Sequence, residues 1–149
     1  MNEFERLLAF MKISYQSLGT LHRHLSGSPA WFSVHSELAD WYEKLSEQLD
    51  DLIEVGLALG YRDPSIKDAV LMFGGDLVAS APVSCEQALR RAMEIFRGVS
   101  GMMGAARLIV PVNAQAKLDE YGYDWDKIAN YMIAHALGEG AGGVVIDDD

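Results

Sequence analysis

The chain has 149 residues, of which 22 are acidic and 12 basic, so its formal net charge is −10 and its pI is near 4.7. This balance disfavours sequence-independent binding to DNA, which depends on clustered lysine and arginine; it is compatible with attraction of cations or with solubility alone. The single cysteine, Cys85, excludes an internal disulfide and a cysteine-rich zinc site, and we expect it to be a buried thiol.

The N-terminal segment MNEFERLLAF lacks the basic n-region of a signal peptide. No apolar run approaches the roughly 20 residues that a membrane span requires. We therefore expect a cytoplasmic protein that makes no membrane contact.

Helical periodicity predicts two long helices in the first half of the chain. The first extends from residue 4 to about residue 25, and the Ser-Gly-Ser-Pro segment at 26–29 ends it. The second extends from about Ser33 to Leu59, with Gly60 as its stop. Trp31 and Phe32 are expected in the loop between the two helices.

The second half predicts a short helix and two longer ones. Asp63-Pro64 has the pattern of a helix start, and Gly74 ends that short helix after Phe73. Ser84 and Gln87 form a capping-box pattern that opens the third long helix, which Pro111 is expected to end. A short turn of helix at 113–118 and a last helix at 125–137, capped by Asp124, complete the chain. No segment alternates at period two, so the predicted fold class is all-α, a four-helix bundle with one short inserted helix.

The C-terminal residues differ in composition from the rest. We predict a bundle domain at 1–137 and a glycine-rich acidic tail at 138–149. The GEGAGG segment matches a dinucleotide fingerprint by letter only, because it follows a helix instead of opening one. The tail is expected to be either a flexible terminus or a segment that docks on a protein partner.

Histidines and carboxylates concentrate on the first two predicted helices. His22 continues an apolar stripe and is expected to point into the bundle, while His24 lies about 200° further around the helix. His35 lies near the start of the second helix, and Asp50 and Glu54 form an i, i+4 pair on it. Each of these residues, taken singly, also has an ordinary structural explanation. It could be a core histidine, a helix cap or part of a solvated helix edge. His135, on the stripe of the last helix, is expected to be a core histidine.

Helix geometry limits how these residues can combine. His35 and Asp50 are separated along one helix by roughly 22 Å at about 1.5 Å per residue. They cannot bind one ion within a single chain. Two copies of the second helix that cross antiparallel near residue 44 would place His35 of one copy beside Asp50 and Glu54 of the other. A site that uses all of them has to be shared between subunits.

This arrangement resembles the Dps-type mini-ferritins. The resemblance rests on the His-x-His and Trp-Phe-x-x-His patterns, Tyr42, the Asp-x-x-x-Glu pair and Leu59-Gly60, and it covers residues 15–75 best. It implies a ferritin-like bundle, a homo-oligomer, and iron bound at a dimer interface where ferroxidase activity is possible. His35, Asp50 and Glu54 fall on ligand positions of that family, and His22 and His24 straddle the position of its first histidine.

The sequence also departs from the family. An aspartate of the family falls on Ala39, and the lysine-rich extension with which some members bind DNA is missing. No Glu-x-x-His motif of the larger ferritins occurs. Some phage genomes encode small proteins with a related pattern. The alternative hypothesis is therefore a non-enzymatic structural or assembly protein, such as a phage virion or accessory component, that uses its tail as the contact element.

Overall fold

The computed structural model describes residues 1–139. Within them, five α-helices of eight residues or more follow one another: α1 (Glu3–His24), α2 (Trp31–Ala58), α3 (Ile66–Phe73), α4 (Cys85–Arg107) and α5 (Val112–Asp126). The last of these continues through a π-helical segment, Lys127–Ile133, into a final short helix, α6 (Ala134–Ala136). These residues contain no strand. The predicted all-α bundle, with a short helix between the second and third long ones, is confirmed.

Reciprocal side-chain caps fix where α1, α3 and α4 begin. Asn2 and Glu5 form a capping box at α1, and the predicted box of Ser84 with Gln87 opens α4. The predicted start of α3 is wrong by two residues, because Ser65 and Asp68 form the capping box there. The carboxylate of Asp63, which was expected to cap α3, accepts a hydrogen bond from Lys12 instead.

The second helix begins earlier than predicted. Trp31 and Phe32 lie in its first turn and not in the preceding loop. The backbone N–H of Trp31 donates to the carbonyl of Ser28 at 3.0 Å, and its indole Nε1 donates to the carbonyl of Leu25 at 2.9 Å. These bonds close the loop tightly enough for α2 to start at residue 31.

The two predicted C-terminal segments are a single helical stretch. Helix α4 ends at Arg107, Pro111 occupies the N-cap position of α5, and Asp124 lies inside α5. The π-helical segment contains wider turns, so the buried face advances by one residue. Ile133 and Ala134 are buried where Met132 and His135 were expected, and His135 is exposed. The prediction of a core histidine at His135 is therefore wrong.

Close packing centres on α1, which contacts α2, α3 and α4, while α5 packs on α4. Gly98 of α4 allows a close approach, since a Cβ there would lie 2.9 Å from Cζ of Phe10. Cys85 is buried, as expected. Across residues 1–139 no helix combines the length and apolar character that crossing a membrane requires. The proposed boundary between bundle and tail stays a prediction, because residues 140–149 lie outside the described part.

The connection from α3 to α4 runs beside α1 and is fastened to it at two places. The backbone N–H of Leu77 donates to Ser17 Oγ at 2.8 Å. Further along, the N–H of Val83 donates to the carbonyl of His24 at 3.1 Å, and its carbonyl accepts from the N–H of Ser26 at 2.9 Å. The connection therefore orients the last turn of α1, where the histidines lie.

Candidate metal centre

The hairpin of α1 and α2 brings two of the predicted ligands together. The imidazole rings of His22 and His35 stack with their centroids 3.9 Å apart and their planes at 29°. His22 lies in the last turn of α1 and His35 in the first turns of α2, so the short loop between the helices sets their distance. Both side chains are partly exposed at the edge of the bundle.

The environment of His22 suits a metal ligand. Its Nε2 atom is buried and has no hydrogen-bond partner among the described residues. Burial lowers the pKa of His22, and the neighbouring His35 and Arg23 lower it further. Neutral imidazole is the form that binds a metal through a ring nitrogen, so the site keeps His22 in the competent state.

His24 is placed differently from His22. Its Nδ1 atom donates to the carbonyl of Thr20 at 2.8 Å, one turn back on α1. The sequence left open which of the two histidines would partner His35. In the structure it is His22 whose ring lies against His35, while His24 is held against its own helix.

The carboxylates expected to complete the site lie far along α2. Asp50 and Glu54 are exposed, and within the described part of the chain neither has an ion-pair partner. Their neighbour Asp51 is engaged elsewhere: it accepts from Tyr121 and from Lys117, and its pKa is lowered, most by the Tyr121 hydroxyl. Among residues 1–139 no three histidine, cysteine or carboxylate side chains are close enough to hold one ion. Within the described residues, His22 and His35 therefore supply two candidate ligands and not a complete set.

The histidine pair belongs to a longer column of rings that the sequence analysis did not assemble. Trp31 stacks on the outer face of His35 at 4.4 Å, and Tyr42 lies 5.8 Å from His22 on the other side. Tyr15 continues the column at 5.1 Å from Tyr42. We call these five side chains, Tyr15, Tyr42, His22, His35 and Trp31, the ring stack.

A spacing signal for the ring stack was present in the sequence. Tyr15 precedes His22 by seven residues on α1, and His35 precedes Tyr42 by seven on α2. Seven residues are close to two helical turns, so each pair lies on one face. Because α1 and α2 form an antiparallel hairpin, Tyr15 meets Tyr42 and His22 meets His35.

Similarity of structure places the chain in a known fold. It superposes on Dps from Staphylococcus aureus with a TM-score of 0.79 at 21% identity, covering 91% of this chain and 92% of that one. Antigen TpF1 from Treponema pallidum superposes with a TM-score of 0.79 at 20% identity, covering 91% of this chain and 88% of that one. Dps from Listeria innocua soaked with cobalt superposes with a TM-score of 0.77 at 19% identity, covering 95% of this chain and 94% of that one. No known family profile matches the sequence, and no curated protein matches it either.

The chain therefore has the ferritin-like fold of the Dps-type mini-ferritins, which is the fold that the sequence resemblance implied. The TM-scores establish the fold, whereas identities of about one fifth leave the activity to be argued from the residues of the site.

Proposed function

We propose that the chain is a subunit of a Dps-like mini-ferritin that binds Fe(II) between two copies of itself in the cytoplasm. The observation that carries this proposal is the stacked pair of His22 and His35 at 3.9 Å, with the Nε2 atom of His22 buried and without a hydrogen-bond partner among residues 1–139. Burial of an imidazole nitrogen away from water without a hydrogen bond costs free energy. A bound ligand would supply the missing contact.

The donor set fits iron. His22 and His35 of one copy supply imidazole nitrogens, and Asp50 and Glu54 of the second copy supply carboxylate oxygens. Mixed imidazole and carboxylate ligation with an open position suits Fe(II) and access of an oxidant. We do not include His24 among the ligands of this proposal, because the ring that lies against His35 is that of His22.

Oxidation and storage of iron are the further steps that the fold suggests. Ala39 lies one turn after His35, where a carboxylate would add a ligand from the same copy. Its methyl group leaves the half-site one donor short. We therefore propose that the chain binds Fe(II) less tightly than a site with that carboxylate, and that oxidation occurs in a closed shell of copies.

The test is complementation between two inactive variants. Co(II) serves as the probe, since it takes the same ligands and its absorption spectrum reports coordination. His35→Ala and Asp50→Asn are each expected to lose Co(II) binding. When the two variants are mixed, dissociated and reassembled, each pair that contains one copy of each variant regains one intact site. His135→Ala, which removes an exposed histidine elsewhere, is the matched control.

Two results would overturn the proposal. One is a wild-type chain that is monomeric by native mass measurement and binds no Co(II) or Fe(II). The other is a mixture that fails to regain binding although both variants assemble normally. A folded monomer without metal, whose partner docking depends on residues 138–149, would support the structural or assembly role instead.

A further inference from the structure

The ring stack ends in side chains that can lose an electron. Trp31 lies at one end, Tyr42 and Tyr15 at the other, and the two imidazoles lie between them. Successive centroids are 4.4, 3.9, 5.8 and 5.1 Å apart, and no two neighbouring planes differ by more than 29°. Indole and phenol are the aromatic side chains most easily oxidised by one electron. Packing explains one such contact, but it does not require five near-parallel rings in sequence.

The surroundings of the two ends suit one-electron chemistry. Trp31 is partly exposed, whereas Trp41 and Trp125 are buried, so an oxidant in solution meets Trp31 first. The indole N–H of Trp31 donates to the carbonyl of Leu25, which holds the ring in place and cannot take its proton. Tyr15 and Tyr42 are partly exposed, so a phenolic proton can leave to water when either tyrosine is oxidised.

We propose that the ring stack is a path for single electrons between Trp31, the histidine pair and Tyr42 with Tyr15. The transfer among the side chains needs no metal. Its use during iron oxidation rests on the function proposed above, because the histidine pair is then the place where Fe(II) is oxidised.

Hydrogen peroxide is the co-reactant that makes such a path useful. Cleavage of its O–O bond takes up two electrons, and one Fe(II) provides only one of them. Tyr42 supplies the second electron together with its phenolic proton. The balance is Fe²⁺ + H₂O₂ + TyrOH → Fe³⁺ + OH⁻ + H₂O + TyrO•. The iron and the phenol are oxidised, the peroxide is reduced to hydroxide and water, and no hydroxyl radical is released.

Pulse radiolysis of the metal-free protein tests the path itself. Azide radicals oxidise Trp31, and the optical signals of the indole radical and the tyrosyl radical report where the oxidation resides. We expect conversion of the indole signal into the tyrosyl signal at a rate independent of protein concentration. Trp31→Phe abolishes the fast formation of the indole radical, and Tyr42→Phe slows the conversion by about an order of magnitude.

Phenylalanine keeps an aromatic ring at each position. Trp31→Phe also loses the hydrogen bond from the indole to Leu25, so circular dichroism of both variants must match wild type before their rates are compared. Tyr123→Phe, which alters an exposed tyrosine on α5, is the matched control and should behave as wild type. Equal conversion rates in wild type and Tyr42→Phe would overturn the path, as would a rate that rises with protein concentration.

A second experiment tests the use of the path with iron. Fe(II) and peroxide are mixed with the protein, and electron paramagnetic resonance and a spin trap measure tyrosyl and hydroxyl radicals. Tyr42→Phe is expected to lose most of the tyrosyl signal and to release more trapped hydroxyl radical, with Co(II) affinity unchanged. An unchanged tyrosyl signal in this variant would overturn the role of Tyr42. Failure of the wild type to bind Co(II) would overturn the proposed function alone, since the radiolysis result stands independently.

Discussion

The indole Nε1 of Trp125 donates to Oε1 of Gln48 at 2.7 Å, with both side chains buried inside the bundle. The amide nitrogen of Gln48 in turn donates to Asp124 of α5 at 3.1 Å. This network occupies the space between α2 and α5 with a neutral amide and an indole. Asp124 supplies a carboxylate to this network, but no group of three possible metal ligands occurs among the described residues. Under the proposed function, metal binding is expected at the edge of the bundle, where His22 and His35 lie.

Replacement of Gln48 should reveal how much this network contributes to stability. Gln48→Leu leaves the buried N–H of Trp125 without an acceptor, which costs about 1–3 kcal/mol. Chemical denaturation measures the loss. Adding Trp125→Phe removes the orphaned donor, so the double variant should lose less than the sum of the two single variants. Strict additivity would contradict the role given to this hydrogen bond.

The capping carboxylate of Glu5 predicts a pH dependence of stability. It accepts from the backbone N–H groups of Arg62 at 2.8 Å and Asn2 at 3.0 Å, and in that order these bonds lower the pKa of Glu5. A lowered pKa in the folded state gives stability that is fully present above the unfolded pKa of about 4.3. That stability is lost as the pH falls through the folded pKa.

Glu5→Gln is therefore expected to destabilise the protein by about 1–2 kcal/mol at neutral pH. The difference from wild type should shrink as the pH falls below about 4. Urea denaturation at neutral pH and near pH 3 measures both values. Glu3→Gln, an exposed change in the same turn, is the control and should have little effect at either pH. A difference that persists undiminished in acid would contradict the assignment.

Two glycines of α4 should respond oppositely to the same substitution. A Cβ at Gly98 would lie 2.9 Å from the Phe10 ring, whereas a Cβ at Gly104 would have no atom of residues 1–139 within 4 Å outside its own helix backbone and chain neighbours. Gly98→Ala forces that ring to move and is expected to cost about 1–3 kcal/mol. Gly104→Ala gains helix propensity and should stabilise by up to about 1 kcal/mol. Thermal unfolding of the pair measures the contrast, and equal shifts would show that Phe10 yields freely.

A carboxylate can be introduced at position 39 as a further test of the proposed function. Ala39→Asp places a carboxylate one turn after His35 on the same face of α2. Under the proposed function, it is expected to tighten Co(II) binding by about an order of magnitude, measured by spectroscopic titration. Ser36→Asp adds the same charge on a different side of the helix and serves as the control. Equal tightening by both would point to a general attraction of cations and contradict a specific ligand position.

The sequence predicted those elements whose signals are local. The capping box of Ser84 with Gln87 and the left-handed Gly74 at the end of α3 involve residues that are neighbours in the chain. Apolar periodicity likewise gave α1, α2 and the all-α class. The resemblance to mini-ferritins was sufficient to anticipate the fold and the inserted helix.

Other features depend on contacts that local patterns do not contain. The π-helical segment shifts the buried face by one residue, so a period of 3.6 residues placed His135 inside when it is exposed. The choice between His22 and His24 depends on how α2 packs on α1. The ring stack was implicit in two mirrored seven-residue spacings, but only antiparallel pairing makes them meet.

The connection from α3 to α4, which is hydrogen-bonded to α1 through Leu77 and Val83, also divides the sequence into two helical segments. Residues 79–82, between those two anchors, are exposed. Along the sequence, α1 to α3 precede them and α4 to α6 follow them. A backbone cut there would remove no core side chain and no anchoring hydrogen bond. The two fragments are then expected to reassemble by complementation, because the interface between α1 and α4 is itself part of the hydrophobic core.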